Sequence, residues 1–239
     1  MITLINNKQA LEKLTHGDIY EGKIKTLERA YGFSQNFCAF YQQADSLLLS
    51  RLDGDFVIKV LEEDYDVQEL ALFLKAHNAK NLFLPPKLLQ ELELFIENAQ
   101  LRYCGILEYE GKHIPQKISD SPDLTAVFDI LKQDFNIEYS SWLTDVSHRV
   151  RHGISTVYLY NNASTVTALY DADSHVFLTQ VGTAPQERGR GLAAAMLKEV
   201  AGRYKKSGKT VSLVSRYSLM PFYEKVGFKK VGTAAIAFL

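Results

Sequence analysis

Residues 181–193 read Val-Gly-Thr-Ala-Pro-Gln-Glu-Arg-Gly-Arg-Gly-Leu-Ala, and they follow an apolar run, Val176 to Val181. Pro185 lies just beyond that run, and two arginines and two glycines then fall within four residues. Apolar side chains next recur at helical spacing from Leu192 to Lys206. The pattern predicts a strand, a tight loop and the start of a helix. Such a loop presents bare backbone amides to an anion.

Three interpretations of this loop are open on the residues alone. It could be a plain strand-to-helix turn whose glycines serve its geometry. Gly189-x-Gly191-x-x-Ala194 also matches a dinucleotide-binding fingerprint. That fingerprint, however, should follow the first strand of repeated βα units, with an acidic residue about 20 positions on, where this chain has Thr210 to Arg216. The third interpretation is binding of coenzyme A (CoA).

Two motifs carry a resemblance to a known family. The run Arg188-Gly-Arg-Gly-Leu-Ala193 fits the pattern Arg/Gln-x-x-Gly-x-Gly/Ala. The second motif is Leu219-Met-Pro-Phe-Tyr-Glu-Lys-Val-Gly-Phe228. At this separation the two motifs resemble those of the GCN5-related N-acetyltransferase (GNAT) superfamily, including its FR47-like and glycine-N-acyltransferase-like branches. The resemblance covers roughly residues 115–239.

The order of predicted elements supports an α/β (α+β) fold. The second half reads helix, helix, three strands, helix, strand, helix, strand, and the first half has a looser version of that order. We expect a C-terminal GNAT fold at 115–239, with a mixed, mostly antiparallel central sheet flanked by helices. A smaller α/β domain at 1–114 precedes it, and a degenerate GNAT-like half is one hypothesis for that domain. The best linker candidate is Gly111 to Asp123, which contains Gly111, Pro115, Ser119, Asp120, Ser121 and Pro122.

Charge is distributed unevenly along the chain. The net charge is −1, yet residues 180–239 hold 11 basic and 3 acidic side chains, which suits a polyanionic ligand. Aromatic residues do not interleave with the basic ones, so we expect no nucleic-acid partner. Residues 1–14 lack the apolar core of a signal peptide, and no window reaches the roughly 18 apolar residues of a membrane span. With only two cysteines, Cys38 and Cys104, the sequence predicts a cytoplasmic protein without disulfides.

The resemblance implies an enzyme, an acyl-CoA-dependent N-acyltransferase. It would transfer an acetyl group from acetyl-CoA to a primary amine by direct attack, and the Tyr223 hydroxyl would protonate the departing thiolate. The acceptor would be a small molecule or a peptide, and the protein would be a monomer or a homodimer. A CoA-binding regulatory or sensor protein without turnover is the alternative hypothesis.

The cofactor-binding residues are expected on the loop and on the two strands beside it. Backbone N–H groups from Gly189 to Ala193 can hold the pyrophosphate at a helix N-terminus, and Arg188 and Arg190 can add charge-assisted hydrogen bonds. The resemblance implies that Gln180 to Thr183 pair with the pantetheine arm, with Ser215 opposite. Arg216 stands where many members carry Asn, and it could reach the adenosine phosphate. The full set is Gln180, Val181, Gly182, Thr183, Arg188, Gly189, Arg190, Gly191, Leu192, Ala193, Ser215, Arg216 and Tyr223.

The general base is less well indicated. Many members of the family use a Glu on the strand before the loop, where this chain has Phe177. His175 is the candidate with a suitable intrinsic pKa, and Asp171 and Asp173 are its neighbours. A chain of water molecules is equally compatible with the sequence.

No metal site is expected. His148 and His152 have the i, i+4 spacing that can hold zinc, but no third ligand is near and basic residues lie beside them.

Overall fold

The computed structural model describes residues 1–12, 14, 17–171 and 174–239, with the backbone alone at 170 and 171. By backbone proximity these residues form two compact units. Unit 1 comprises Met1–Ile106 and Gly232–Leu239, and unit 2 comprises Leu107–Val231. The domain boundary expected at 114/115 stays a prediction. Within the described ranges, none of the helices combines the length and the apolar composition that a bilayer crossing requires.

Strands and helices alternate along both halves of the chain. The strands are β1 (Ile2–Ile5), β2 (Cys38–Gln43), β3 (Leu47–Leu52), β4 (Asp55–Val60), β5 (Asn81–Leu84), β6 (Gln100–Tyr109), β7 (Thr156–Tyr160), β8 (Ser164–Asp171), β9 (His175–Thr183), β10 (Thr210–Arg216) and β11 (Phe228–Phe238). The helices are α1 (Gln9–Glu12), α2 (Ile19–Tyr31), α3 (Val67–Ala76), α4 (Pro86–Leu92), α5 (Leu124–Leu131), α6 (Tyr139–Arg151), α7 (Leu192–Lys206) and α8 (Met220–Val226). Short 3₁₀ turns occupy Pro185–Glu187 and Tyr217–Leu219.

In unit 1 the strand order is β1-β2-β3-β4-β5, and the C-terminal part of β11 lies beside β5. Neighbouring strands are antiparallel except β4 and β5, which are parallel. Alternate residues of the strands and the i, i+4 pair Leu70 and Leu74 of α3 form one buried core. Helix α2 begins at Asp18, whose carboxylate accepts hydrogen bonds from the Tyr20 and Glu21 amides.

Unit 2 is built on the meander β7-β8-β9, which is antiparallel throughout. Strand β10 pairs with β9 in parallel, and β6 lies on the other side of β10. Helix α7 packs on this sheet through buried side chains such as Met196, Leu197 and Val200. A second core lies between α5, α6 and the first strand of the meander and includes Val127, Leu131 and Trp142. The expected mixed, mostly antiparallel sheet flanked by helices is confirmed.

The two halves of the chain have the same order of elements. After β1, which has no counterpart, the first half runs α1-α2-β2-β3-β4-α3-β5-α4-β6, and the second runs α5-α6-β7-β8-β9-α7-β10-α8-β11. Both pairs that flank a crossover helix, β4 with β5 and β9 with β10, are parallel. By residue number, β6 and β11 are each divided between the two units. A degenerate GNAT-like origin for the first half stays a prediction.

The segment expected as a linker is held against α7. Gly202 of α7 leaves room for the backbone of His113, because a Cβ at Gly202 would lie 2.4 Å from the His113 Cα. The buried Glu199 carboxylate contacts His113 Nε2 at 2.7 Å and accepts a hydrogen bond from the Gln116 amide at 3.1 Å. Arg203 donates a further hydrogen bond to it at 2.6 Å. Burial raises the pKa of the Glu199 carboxyl, but these hydrogen bonds outweigh burial and hold the pKa below its ordinary value.

Glu199→Gln should lower the free energy of unfolding at pH 7 by about 1–3 kcal/mol, because His113, Gln116 and Arg203 lose a charged acceptor that is buried. A carboxyl whose pKa is lowered by folding stabilises the protein above its unfolded pKa, near 4.3, and loses that effect as the pH falls through the folded pKa. Denaturant titrations at pH 7 and below pH 4 should therefore show a smaller acid-induced loss in the variant. Equal acid-induced losses in the two proteins would contradict this role of Glu199.

Candidate functional site

Strands β9 and β10 diverge in unit 2 and leave a cleft between them. Their parallel pairing covers three residue pairs, from His175↔Thr210 to Phe177↔Ser212. The residues that follow directly on each strand line a cavity of about 560 Å³, which we call the β9–β10 cleft. Its lining comprises Asp134, Phe135, Leu178, Thr179, Gln180, Val181, Gly182, Thr183, Arg188, Ala193, Leu213, Val214, Ser215, Arg216, Leu219, Phe222 and Tyr223. Two open strand edges face this space, so backbone groups there are available to a ligand.

A β-bulge bends β9 where it borders the cleft. The register with β8 shifts between the pairs Thr165↔Gly182 and Thr167↔Thr179, so two residues of β9 stand opposite one of β8. Gln180, within the bulge, has φ = 51°, an uncommon backbone conformation for a residue with a side chain. The Thr167 hydroxyl donates a hydrogen bond to Gln180 Oε1 at 3.1 Å and fixes this side chain. The bulge lies in the part of β9 that lines the cleft, beyond its three pairs with β10.

The glycine-rich loop connects β9 to α7. Gly189 has φ = 76° and Gly191, the N-cap of α7, has φ = 75°, both in the left-handed region that favours glycine. A Cβ at either position would meet no heavy atom of the described residues within 4 Å. The N-cap has no side chain to bond the first turn of α7, so the N–H groups of that turn are open to a ligand. The loop has the form of an anion cradle at a helix N-terminus.

The two arginines of the loop are engaged by the protein itself. Arg188 donates to the Thr183 carbonyl at 3.0 Å and to Asp134 Oδ2 at 2.8 Å. Arg190 forms an ion pair with Glu187. Arg188 therefore ties the loop to the end of β9 and to the turn after α5. Their expected contacts with phosphate stay predictions.

A second cavity, of about 410 Å³, lies along the loop, and we call it the loop cavity. It is lined by Thr183, Glu187, Arg188, Gly189, Gly191, Leu192, Ala193, Ala194, Phe222, Lys225 and Val226. It shares Thr183, Arg188, Ala193 and Phe222 with the β9–β10 cleft. The two spaces therefore adjoin, and an elongated ligand can reach from the cleft to the far side of the loop.

Tyr223 lies at the β9–β10 cleft. It belongs to α8, is only 8% exposed, and its ring packs edge-on against Phe222 and Phe228. Burial raises the pKa of the Tyr223 phenol to about 12. A phenol that stays protonated well above neutral pH can donate a proton to a ligand in the cleft.

His175 is not among the residues that line either cavity. It is buried at the paired end of β9, where its Nε2 lies 2.7 Å from the Ser212 hydroxyl. Phe177 is buried as well. Asp173 lies outside the described residues, and at Asp171 only the backbone is described. The role of His175 as a base stays a prediction, and its geometry favours a hydrogen bond that joins β9 to β10.

His175→Gln should therefore lower turnover by less than roughly tenfold, because the amide can still reach Ser212. A general base contributes on the order of 10²–10⁴ to the rate. A loss of turnover of about 100-fold or more, together with loss of the increase in rate with rising pH, would instead show that His175 is the general base. The readout is the pH dependence of thiol release with a fixed amine.

The sequence motifs assign no ligand contact to several of the lining residues. Asp134 and Phe135 follow α5 and reach the cleft only through the fold, and Asp134 is 54 positions from its partner Arg188. Phe222 borders both cavities, and Lys225 borders the loop cavity. Their location at the two cavities becomes visible only when the strands and helices are assembled.

The two histidines with zinc-like spacing lie side by side on α6. The ring centroids of His148 and His152 are 4.4 Å apart. Among the described residues, no cluster of three or more His, Cys, Asp or Glu side chains offers a metal site.

A parallel strand pair that diverges beside a glycine-rich helix N-terminus agrees with the acyltransferase fold that the two sequence motifs imply. Residues 174–231 match the family model described as an acetyltransferase (GNAT) domain. This range contains both motifs and the strands of the cleft. Over this segment the chain is therefore similar to GNAT acetyltransferase domains, and its mixed α/β fold matches that of GNAT structures. The FR47-like and glycine-N-acyltransferase-like branch stays a prediction.

Solved structures share this fold at low sequence identity. A GCN5-related N-acetyltransferase from Kribbella flavida is 13% identical with a TM-score of 0.64, over 92% of this chain and 93% of that one. A GNAT-family acetyltransferase from Colwellia psychrerythraea is 14% identical with a TM-score of 0.59, over 100% and 98%. A GCN5-related N-acetyltransferase from Sphaerobacter thermophilus is 14% identical with a TM-score of 0.60, over 89% and 84%. A search of curated proteins found no match to the sequence.

Proposed function

We propose that the protein is an N-acetyltransferase that uses acetyl-CoA and a primary amine. The observation that carries the proposal is the junction of the β9–β10 cleft, which contains Tyr223, with the glycine-rich loop at the start of α7. The family match indicates an acetyltransferase, and this junction suits a long ligand with phosphates at one end and a reacting group at the other. The open space at Gly189 and Gly191, which a Cβ would fill, fits the pyrophosphate.

Each part of the site has a role in this proposal. The N–H groups of Gly189 to Ala193 bind the pyrophosphate, helped by the positive end of the α7 dipole. The open edges of β9 at Gln180 to Thr183 and of β10 at Ser215 hold the pantetheine arm. A backbone amide near Val181 stabilises negative charge on the thioester oxygen. Arg188, through Thr183 and Asp134, holds the loop in place.

Acetyl-CoA supplies the activated acyl group, and the amine nitrogen attacks its carbonyl carbon. A C–N bond forms and the C–S bond breaks, while the nitrogen loses one proton to solvent. Tyr223 donates its phenolic proton to the departing sulfur. Its pKa, about 12, keeps the phenol protonated at neutral pH, so the proton is present on Tyr223 when the C–S bond breaks. The phenol then recovers a proton from solvent.

The proposal implies one coenzyme per chain. In unit 1 the connection from β4 to α3 reads Leu-Glu-Glu-Asp-Tyr-Asp at residues 61–66, which is acidic where the second half has its glycines and arginines. Beside β5, the buried Tyr20 hydroxyl donates to the Leu84 carbonyl at 3.2 Å. A protein side chain thus already binds a backbone group at the end of β5. An acidic connection repels the phosphates of CoA.

The test is a titration with CoA and acetyl-CoA followed by thermal denaturation, paired with thiol release from acetyl-CoA across a panel of amines. The account expects a ligand-dependent rise in melting temperature and amine-dependent thiol release. The absence of any shift at millimolar ligand would refute the proposal. A shift without release for any amine would instead favour a CoA-binding protein that does not turn over.

A further inference from the structure

Lys225 is a basic residue at the loop cavity that neither motif analysis nor the resemblance assigned to the ligand. It lies in the last turn of α8, three residues after Phe222, so the two side chains project from the same face of the helix. That face borders the loop cavity together with Gly189 and Gly191. Lys225 is exposed, so its ammonium group can meet a ligand without a cost for burial.

Of the basic side chains around the loop, the two arginines form ion pairs within the described residues and Lys225 does not. Arg188 is paired with Asp134 and Arg190 with Glu187, so the positive charge of each loop arginine is matched within the protein. The Glu187 carboxylate, which also lines the cavity, is neutralised by the same contact. Lys225 makes no ion pair with any carboxylate of the described residues. Within that part of the chain, its positive charge at this cavity is therefore uncompensated.

We propose that Lys225 binds a phosphate group at the nucleotide end of CoA. The inference rests on the proposed function, since the reacting end of the ligand must lie in the β9–β10 cleft beside Tyr223. The glycine N–H groups then take the pyrophosphate, and the ligand continues into the loop cavity, where its remaining charge lies within the reach of Lys225. The shared chemistry is a phosphate oxygen accepting from an ammonium group. That phosphate belongs either to the 3′ position of the ribose or to the pyrophosphate.

The experiment measures dissociation constants of CoA and of 3′-dephospho-CoA by calorimetry for the wild-type protein, Lys225→Gln and Lys206→Gln. Lys206 is an exposed lysine in the last turn of α7, at the end away from the glycine-rich loop, so its replacement is a matched change of charge. We expect Lys225→Gln to weaken CoA binding by roughly tenfold and Lys206→Gln to leave the affinity for CoA unchanged. Lys225→Arg should restore binding, and the defect should shrink at high salt.

The two ligands separate the two phosphates. A tenfold loss for CoA with little loss for dephospho-CoA assigns Lys225 to the 3′-phosphate, and equal losses assign it to the pyrophosphate. A CoA affinity within about twofold of wild type overturns the inference while the proposed function stands. Equal losses in the Lys206 variant also overturn it, because the effect would then be general charge. If the wild-type protein binds neither ligand, the proposed function itself fails.

Discussion

Replacing Tyr223 with phenylalanine should lower turnover by roughly 10²- to 10³-fold and leave the affinity for acetyl-CoA nearly unchanged. The ring packs against Phe222 and Phe228, and phenylalanine keeps these contacts. The hydroxyl is the group that the change removes, and with it the proton for the departing thiolate. Thiol release at saturating acetyl-CoA measures the turnover, and calorimetry measures the affinity.

The pH dependence gives a second readout. With a pKa of about 12, Tyr223 stays protonated up to pH 10, so its ionisation should cause no alkaline fall of the wild-type rate in that range. The matched control is Tyr217→Phe, since Tyr217 is 46% exposed and lines neither cavity. Retention of the full rate by Tyr223→Phe, or an equal loss in the control, would remove Tyr223 from the chemistry.

Gly191→Val should abolish CoA binding, weakening it by at least about 100-fold. Gly191 has φ = 75°, and the space that a Cβ would enter contains no atom of the described residues within 4 Å. A branched side chain there fills the space proposed for the pyrophosphate and removes several charge-assisted hydrogen bonds at once. It also strains the backbone at the start of α7 by about 1–3 kcal/mol. Calorimetric titration of the variant with CoA measures the loss.

The strain has its own control in Gly208→Val. Gly208 follows α7 and has φ = 84°, and a Cβ at this position would likewise meet no atom of the described residues within 4 Å. Both variants should lose a similar free energy of unfolding in denaturant titrations, and only Gly191→Val should lose its affinity for CoA. If Gly208→Val weakens CoA as strongly, the loss comes from destabilisation and not from a blocked phosphate site.

Much of the fold follows from local patterns. The apolar run before Pro185 and the helical spacing after Leu192 define β9 and α7 almost to the residue, because a buried strand and a half-buried helix have different periods. Asp18 and Pro86 mark the starts of α2 and α4 by capping chemistry that needs no tertiary contact.

Two elements show where local patterns are insufficient. Strand β1 has no clear signal in the sequence. Its four residues include the exposed Leu4, and it forms a strand by pairing with β2. After Pro85-Pro86 the sequence predicts a helix from Leu88 to Asn98, but α4 spans Pro86–Leu92. Leu94 is 82% exposed, so the apolar residues that extend the pattern do not continue a buried helical face. Periodicity alone does not distinguish these cases.

The candidate site divides in the same way. The glycines at positive φ have sequence signals because the backbone favours glycine there, and Tyr223 has one because it lies in a motif that contains Gly227. The pairs Arg188–Asp134 and His175–Ser212 have none, since each joins residues far apart in the chain. These contacts change the role assigned to each residue. Arg188 connects the loop to Thr183 and Asp134, and His175 connects β9 to β10. The three-dimensional arrangement is also what places Lys225 at the loop cavity.

The most direct measurement of the central claim is a calorimetric titration of the wild-type protein and of Gly191→Val with CoA. The claim is that the loop at the start of α7 holds the coenzyme. The account predicts one CoA bound per wild-type chain and no detectable binding to the variant, with both proteins folded. No binding to the wild-type protein at millimolar CoA, or equal binding to Gly191→Val, would contradict it.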